Sequence, residues 1–266
     1  MSQSFRIIPS KNSEVPILIS VPHCGVAFPD ELIEQYKPEL ALAPDDTDWF
    51  VDTLYDFAAG MGITMIAAHY SRWVIDLNRD PTSKPLYADG RIITELCPTT
   101  TFIGEPLYMD ERKTVQQEEI IRRVRLYYEP YHNKLSELLF QLKSKFGKVL
   151  LWDCHSIKQI VPTIQKDKFP DLILGDADRT SASAELINAA INTLKSDSYS
   201  IHHNHPFKGG YITRHFGKPR ENQHALQLEM TKVNYMNDAE KKYDKVRSEK
   251  MRMLLKKNFQ ILINTL

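Results

Sequence analysis

The chain has no excess of charge of either sign. Its 266 residues include 34 lysines and arginines and 34 aspartates and glutamates, so the formal net charge is zero. Proteins that bind nucleic acid over a broad surface need a basic face, and this balance argues against such a partner. Hydrophobic residues (42%) and charged residues (26%) occur in ordinary globular proportions, which excludes a disordered chain, a collagen and a coiled coil.

Cysteine is scarce, and long apolar runs are missing. The three cysteines, Cys24, Cys97 and Cys154, are an odd number and lie far apart, as in proteins of a reducing compartment. No run approaches the ~18 apolar residues that a membrane span needs, and residues 1–13 lack the apolar core of a signal peptide. These features predict a soluble cytoplasmic protein that binds neither nucleic acid nor a membrane. Without repeats or low-complexity linkers, we expect residues 1–266 to form a single domain.

Runs of strand type and helix type alternate along the chain, which predicts an α/β fold. The apolar patterns predict strands at residues 15–21, 63–68, 73–77, 148–152, 172–174, 198–202, 211–213 and 225–229. They predict helices at residues 49–59, 118–146 and 239–263. Pro130 should kink or divide the second helix, and Gly147 should end it.

Polar side chains follow several of the predicted strands directly. His23 follows strand 15–21, Asn78 and Arg79 follow strand 73–77, and His155 follows strand 148–152. Ligands of α/β proteins bind beyond the carboxyl ends of their strands, and two histidines there, with acidic residues nearby, indicate a metal or acid–base site. A lone histidine is more often a turn residue, and neither an HExxH nor a CxxC motif supports the metal.

The acidic cluster before helix 49–59 is the best source of a third metal ligand. Asp48 is equally placed to cap that helix, where its side chain would accept backbone hydrogen bonds. We favour Asp48 as a ligand, and Asp46 remains the alternative.

Three polar residues around strand 73–77, Arg72, Asn78 and Arg79, have the chemistry to bind a carboxylate, because a guanidinium presents a planar fork to it. Salt bridges to Asp76 or Asp80 would explain the arginines equally well. Arg214 follows the Gly209-Gly210 pair, which is typical of a close ligand approach or simply of a turn.

Glu229 lies in an otherwise apolar run, where a carboxylate is costly unless it is paired or catalytic, so it is our candidate general base. Two other groups are less favoured. The histidines at 202, 203 and 205 are more typical of an exposed turn than of a metal site, and a nucleophilic Cys154–His155 pair ranks below the metal hypothesis.

Segments along nearly the whole chain resemble the N-formylglutamate amidohydrolase (deformylase) family. They are residues 20–25, 46–49, 70–79, 101–108, 130–132, 152–157, 207–217 and 224–236. Cys24 departs from the family pattern, which more often has serine or alanine there, but the adjacent His23 is retained. The run 76–79 also resembles the carboxylate-binding segment of aspartoacylases.

The resemblance implies a three-layer α/β/α fold with a central mixed sheet, of the zinc-carboxypeptidase-like (phosphorylase/hydrolase-like) kind. It also implies hydrolysis of N-formyl-L-glutamate to formate and glutamate in histidine degradation. Together with the residue patterns, it indicates zinc or another divalent metal bound by His23, Asp48 and His155, with Glu229 as the base. The substrate carboxylates would be held by Arg72, Asn78, Arg79 and Arg214. Hydrolysis of another N-acyl amino acid and a non-catalytic binding protein on the same fold remain alternatives.

Overall fold

Short apolar strands build one mixed sheet at the centre of the protein. The computed structural model describes residues 3–82, 95–196 and 198–266. The strands are β1 (Phe5–Ile8), β2 (Ile17–Val21), β3 (Thr64–Ala68), β4 (Val149–Ile157), β5 (Leu172–Gly175), β6 (Ile201–His203) and β7 (Gln223–Thr231). Their order is β1-β3-β2-β4-β7-β5-β6. The four central strands β3, β2, β4 and β7 are parallel, whereas β1 runs antiparallel to β3 and β5 runs antiparallel to β7.

Helices of very different length connect the strands. They are α1 (Asp30–Ile33), α2 (Pro38–Leu42), α3 (Val51–Leu54), α4 (Gln117–Arg123), α5 (Glu129–Phe146), α6 (Ala184–Leu194), α7 (Tyr211–Phe216) and α8 (Lys245–Thr265). A π-helical turn at Val124–Tyr128 joins α4 to α5, and 3₁₀ turns occur at Asp56–Met61, Pro219–Glu221 and Lys232–Asn234. Among the described residues, no helix is both long and apolar enough to cross a membrane.

Alternate strand residues face opposite sides of the sheet and build two apolar cores. On β2, Ile17 and Ile19 belong to the core that includes α3, α6 and α8, whereas Leu18 belongs to the core that includes α5 and α7. The sheet is therefore covered by helices on both faces. This arrangement confirms the three-layer α/β/α fold class predicted from the sequence.

Two of the predicted strands are wrong. Residues 73–77 are buried as expected, but they form turns and irregular backbone, and side chains rather than a neighbouring strand bind several of their carbonyl groups. Residues 211–213 belong to helix α7, where Ile212 and Phe216 are buried one turn apart. A run of three residues does not distinguish a strand from a helix. It is too short to show either the two-residue repeat of a strand or the 3.6-residue repeat of a helix.

The predicted helices differ from the observed ones mainly at their ends. Residues 118–146 are divided just before Pro130, as predicted, because proline has no N–H to continue the hydrogen-bond pattern. Gly147 ends α5 with a φ of +78°, also as predicted. The expected helix 49–59 is only the short α3 followed by a 3₁₀ turn. Helix α8 begins six residues later than expected, where the Asp244 side chain caps it.

The aromatic centre of the α8 face is expected to contribute strongly to stability. Phe259 is fully buried, and its ring lies 5.5 Å from that of Trp152 and 6.1 Å from that of Tyr55. We predict that Phe259→Ala lowers the free energy of unfolding by about 3–5 kcal/mol, because it leaves a cavity among these rings. Chemical denaturation measures this loss. The control is Met253→Ala on the same helix, which is 60% exposed and should change stability by less than about 0.5 kcal/mol.

Candidate metal centre and active site

His23, Asp48 and His155 converge beyond the centre of the sheet. His23 follows β2 by two residues, and Asp48 lies just before α3. His155 lies within β4, not after it as predicted, because this strand continues to Ile157. One ligand atom from each residue can be chosen so that all three lie within 4.8 Å of one another, and all three residues are buried. Asp48 Oδ2 lies 3.3 Å from His155 Nδ1 and 3.8 Å from His23 Nδ1.

Two buried carboxylates fix the orientation of the histidine rings. His23 Nε2 donates to Asp76 Oδ1 at 2.8 Å, and His155 Nε2 donates to Asp153 Oδ2 at 2.9 Å. Both rings therefore turn Nδ1 toward the centre, and the two Nδ1 atoms lie 3.2 Å apart. A carboxylate behind each histidine is the usual arrangement around protein-bound metals, since it sets the tautomer and raises the basicity of the ligating nitrogen.

The donor set fits a divalent metal ion. Asp48 Oδ2 is buried and has no hydrogen-bond partner, which is rare for a carboxylate oxygen unless an ion or a water binds it. Two imidazole nitrogens and one carboxylate oxygen are ligands that zinc accepts in catalytic sites. Asp46, the alternative ligand, is already bound, because its Oδ2 accepts hydrogen bonds from Trp73 Nε1 and the Phe102 amide.

Charge interactions oppose burial throughout this group. Burial alone would raise the pKa of Asp76, but the Arg72 guanidinium and His23 hold it well below its ordinary value. Burial likewise favours a neutral His155, yet the Asp153 carboxylate and Asp48 raise the pKa of His155 well above its usual range. The pocket therefore keeps Asp76 ionised. Beside His155, the carboxylates of Asp48 and Asp153 create a negative environment that stabilises positive charge.

Glu229 lies directly across from the metal group. In the parallel pairing of β4 and β7 it is the register partner of His155. Burial raises the pKa of Glu229 to about 8, although the nearby charges of His155 and Arg72 partly offset the effect. A carboxylate with this increased proton affinity has the property that a general base requires near neutral pH.

A cavity of about 420 Å³ opens onto these residues. Seven of the eight residues selected from the sequence line it: His23, Asp48, Arg72, Asn78, Arg79, His155 and Glu229. The eighth, Arg214, is not among the described residues that line this cavity. It lies on α7, where its Nε donates to the Gly209 carbonyl at 2.9 Å.

The two arginines of the cavity share one counterion. Arg72 Nη2 donates to Asp76 Oδ2 at 2.6 Å, and Arg79 Nε lies 3.4 Å from the same oxygen. The Arg72 guanidinium also lies over the Phe102 ring, 4.7 Å from its centre. The salt bridge that the sequence left as an alternative is therefore present, and both arginines still reach the cavity.

Asn78 connects the cavity to helix α7. Its Oδ1 accepts a hydrogen bond from the Ile212 amide at 2.8 Å, and its Nδ2 lies 3.0 Å from His155 Nε2. Gly210, at the start of α7, packs directly against the Asn78 amide, and the Gly210 amide donates to Gln227 Oε1 at 2.8 Å. The loop at 76–79 and α7 are thus joined through Asn78, whose backbone carbonyl also accepts a hydrogen bond from the Tyr211 amide at 3.2 Å.

Sequence reasoning missed the supporting carboxylates. Asp153 precedes His155 by two positions on one strand, so the two side chains share a face, and this spacing was a usable signal. Asp76 was considered only as a salt-bridge partner.

Cys154 points to the opposite face, into the apolar core, and burial raises the pKa of its thiol well above its ordinary value. His203 donates to Asp176 at 2.7 Å, which gives it a structural role.

The contact between Gly210 and Asn78 leaves no room for a side chain. A β-carbon at position 210 would overlap the Asn78 amide, so we predict that Gly210→Ala lowers the free energy of unfolding by about 1–3 kcal/mol. The matched control is Gly60→Ala, where a β-carbon would have no atom within 4 Å and stability should not fall. Denaturant titration compares the two variants, and equal stability would contradict the close contact.

Comparison with known proteins shows the family to which the chain belongs. The family model described as N-formylglutamate amidohydrolase matches residues 15–236. The chain is 41% identical over 238 residues to an N-formylglutamate deformylase of Pseudomonas aeruginosa, covering 88% of this chain and 86% of the relative. It is 39% identical to the deformylase of Pseudomonas putida, covering 88% and 87%. The crystal structure of an N-formylglutamate amidohydrolase from Ralstonia eutropha superimposes with a TM-score of 0.83 over 98% of both chains, at 23% identity, and shows the same fold. The chain therefore belongs to the N-formylglutamate amidohydrolase family, as its sequence motifs predicted.

Proposed function

We propose that this protein is a metal-dependent amidohydrolase that cleaves N-formyl-L-glutamate to formate and L-glutamate. The observation that carries the proposal is the buried His23–Asp48–His155 group, which faces Glu229 and two guanidinium groups across one cavity. The names of the two Pseudomonas relatives support this substrate. We also propose that the chain forms a single domain, because all seven described strands belong to one sheet. From the family resemblance we propose a cytoplasmic role in histidine degradation.

His23, Asp48 and His155 would hold the metal, and zinc fits their donor atoms best. Three protein ligands leave a position for water or substrate, and a bound metal supplies Lewis acidity toward a carbonyl and toward water. The protein's own contribution here is orientation. Asp76 and Asp153 hold the imidazole rings with Nδ1 inward, so that the site needs little rearrangement to bind an ion.

Glu229 would accept the proton of the attacking water and return it to the leaving amine. Its raised pKa makes it basic enough for the first transfer and still acidic enough for the second at neutral pH. Its register pairing with His155 on the neighbouring strand supports this role, because it puts Glu229 next to a proposed metal ligand.

The cations would select a substrate with two carboxylates. Arg79 is the more exposed arginine, with 20% of its side chain accessible, and with Asn78 it suits a substrate carboxylate. Arg72 is buried beside Asp48 and Asp76 and suits the oxygen that gains charge during hydrolysis. Arg214 remains a predicted further carboxylate ligand, on the helix that begins after Gly210.

Formate release gives the direct test of this function. We expect the purified protein to release formate from N-formyl-L-glutamate, to lose activity after dialysis against a chelator, and to regain it with zinc or another divalent metal. The substrate panel includes N-acetyl-L-glutamate and N-succinyl-L-glutamate. Full activity of a metal-free preparation would contradict the metal role, and preference for another acyl group would redirect the substrate assignment.

The base role of Glu229 is tested by a neutral isostere. We predict that Glu229→Gln folds normally and lowers kcat by about 10²–10⁴-fold, the usual contribution of a general base. Thermal unfolding should show no loss of stability, because the variant no longer buries an ionisable group. Glu249→Gln, at an exposed position of α8, is the control and should keep full activity. A kcat within threefold of the parent value would move the base to another group.

A further inference from the structure

The π-helical turn between α4 and α5 aligns three side chains on one face. Within the turn the Glu129 amide donates to the Val124 carbonyl, five residues earlier, whereas an α-helix has 3.6 residues per turn. Residues five positions apart are therefore brought above each other. This places Tyr128 in line with Arg123 before it and with His132 one α-helical turn after it, and we call these three side chains the π-turn face.

The π-turn face binds the backbone of one segment, residues 74–79. Arg123 Nη1 donates to the Val74 carbonyl at 3.0 Å. His132 Nε2 donates to the Leu77 carbonyl at 2.8 Å. Tyr128 Oη donates to the Arg79 carbonyl, also at 2.8 Å. Three carbonyls of an irregular segment thus receive their hydrogen bonds from one helix face.

This segment carries the groups that face the proposed substrate. Asp76, Asn78 and Arg79 all line the cavity, although residues 73–79 belong to no strand of the sheet. Backbone hydrogen bonds between strands of the sheet therefore do not fix the position of these residues. Tyr128 and His132 are not among the described residues that line the cavity, so they act on it only through the backbone that they bind.

The two rings of the π-turn face also support each other. Tyr128 and His132 stack with ring centres 4.0 Å apart and an interplanar angle of 17°. Burial lowers the pKa of His132 to about 4, so the ring is neutral at physiological pH and Nε2 keeps its proton for the Leu77 carbonyl. A π-helical turn is rare and is frequently found at functional sites, and here it aligns the three donors that bind residues 74–79.

We infer that Tyr128 and His132 are positioning residues for substrate recognition, holding Asn78 and Arg79 in place through the backbone carbonyls of Leu77 and Arg79. The inference rests on the function proposed above and adds residues that act behind the cavity wall. Since Arg79 would bind a carboxylate in the ground state and the transition state alike, its displacement should weaken binding without slowing the chemical step.

The test is Tyr128→Phe, which removes one hydroxyl and retains the ring. We expect KM for N-formyl-L-glutamate to rise about 3- to 10-fold, the effect of one lost hydrogen bond, with kcat within twofold of the parent value. Tyr127→Phe is the matched control, because that hydroxyl lies in the same π-turn but donates to Glu31. Its KM should not change.

A second pair of variants tests His132 separately. His132→Phe keeps the stacked ring and loses the donor, so KM should rise as for Tyr128→Phe. His132→Gln retains an N–H donor and should restore KM at least in part. If His132→Phe and His132→Gln alter only the melting temperature, with KM unchanged, the histidine is structural and the inference fails for it.

Coupling to Arg79 provides the decisive comparison. In an Arg79→Met background, Tyr128→Phe should raise KM by less than twofold, because the group that it positions is gone. Additive effects would overturn the inference. Failure of the parent protein to hydrolyse N-formyl-L-glutamate would overturn the proposed function and this role together. An active parent with an unchanged KM in Tyr128→Phe would overturn the positioning role alone.

Discussion

The carboxylate of Asp76 joins the two halves of the candidate active site. Its Oδ1 accepts hydrogen bonds from the His23 ring and from the backbone N–H of Asn78. Its Oδ2 accepts one from Arg72 and lies near Arg79. A buried carboxylate is stable only when it is paired and hydrogen-bonded. Asp76 meets that condition with groups that each face the cavity. The orientation of a proposed metal ligand and of both cavity arginines therefore depends on one ionised side chain.

The sheet supplies the other half of the arrangement. β2 and β4 are parallel neighbours, so their carboxyl ends bring His23 and His155 together, and β7 on the far side of β4 adds Glu229. Asp153 sits two residues before His155 on the same strand face and fixes its ring. Strands thus carry His155 and Glu229, and His23 follows a strand closely, whereas Asp48 and the groups proposed for recognition lie on irregular segments.

The sequence allowed prediction of most of this division. Apolar runs located the central strands, polar residues after them pointed to His23 and His155, and a carboxylate within an apolar run pointed to Glu229. The segment 73–77 resembles a strand in sequence because most of its residues are apolar. Composition alone does not reveal that side chains, and not a neighbouring strand, donate hydrogen bonds to its carbonyl groups. The sequence favours Asp48 over Asp46 as a ligand but leaves Asp46 open, and only the structure shows that Trp73 donates a hydrogen bond to Asp46. Such choices depend on partners distant in sequence, which local patterns do not contain.

The irregular backbone at 76–79 has a geometric reason. In a strand, successive side chains point to opposite faces of the sheet, so Asn78 and Arg79 would not both reach one cavity. Turns remove that restriction, and Asp76, Asn78 and Arg79 all line the same space. The consequence is a buried backbone without strand partners, and buried carbonyls must be hydrogen-bonded. The π-turn face supplies the donors for the Leu77 and Arg79 carbonyls, whereas the Asp76 and Asn78 carbonyls accept from the Arg79 and Tyr211 amides. The irregular helix therefore satisfies part of the backbone that the irregular loop leaves without strand partners.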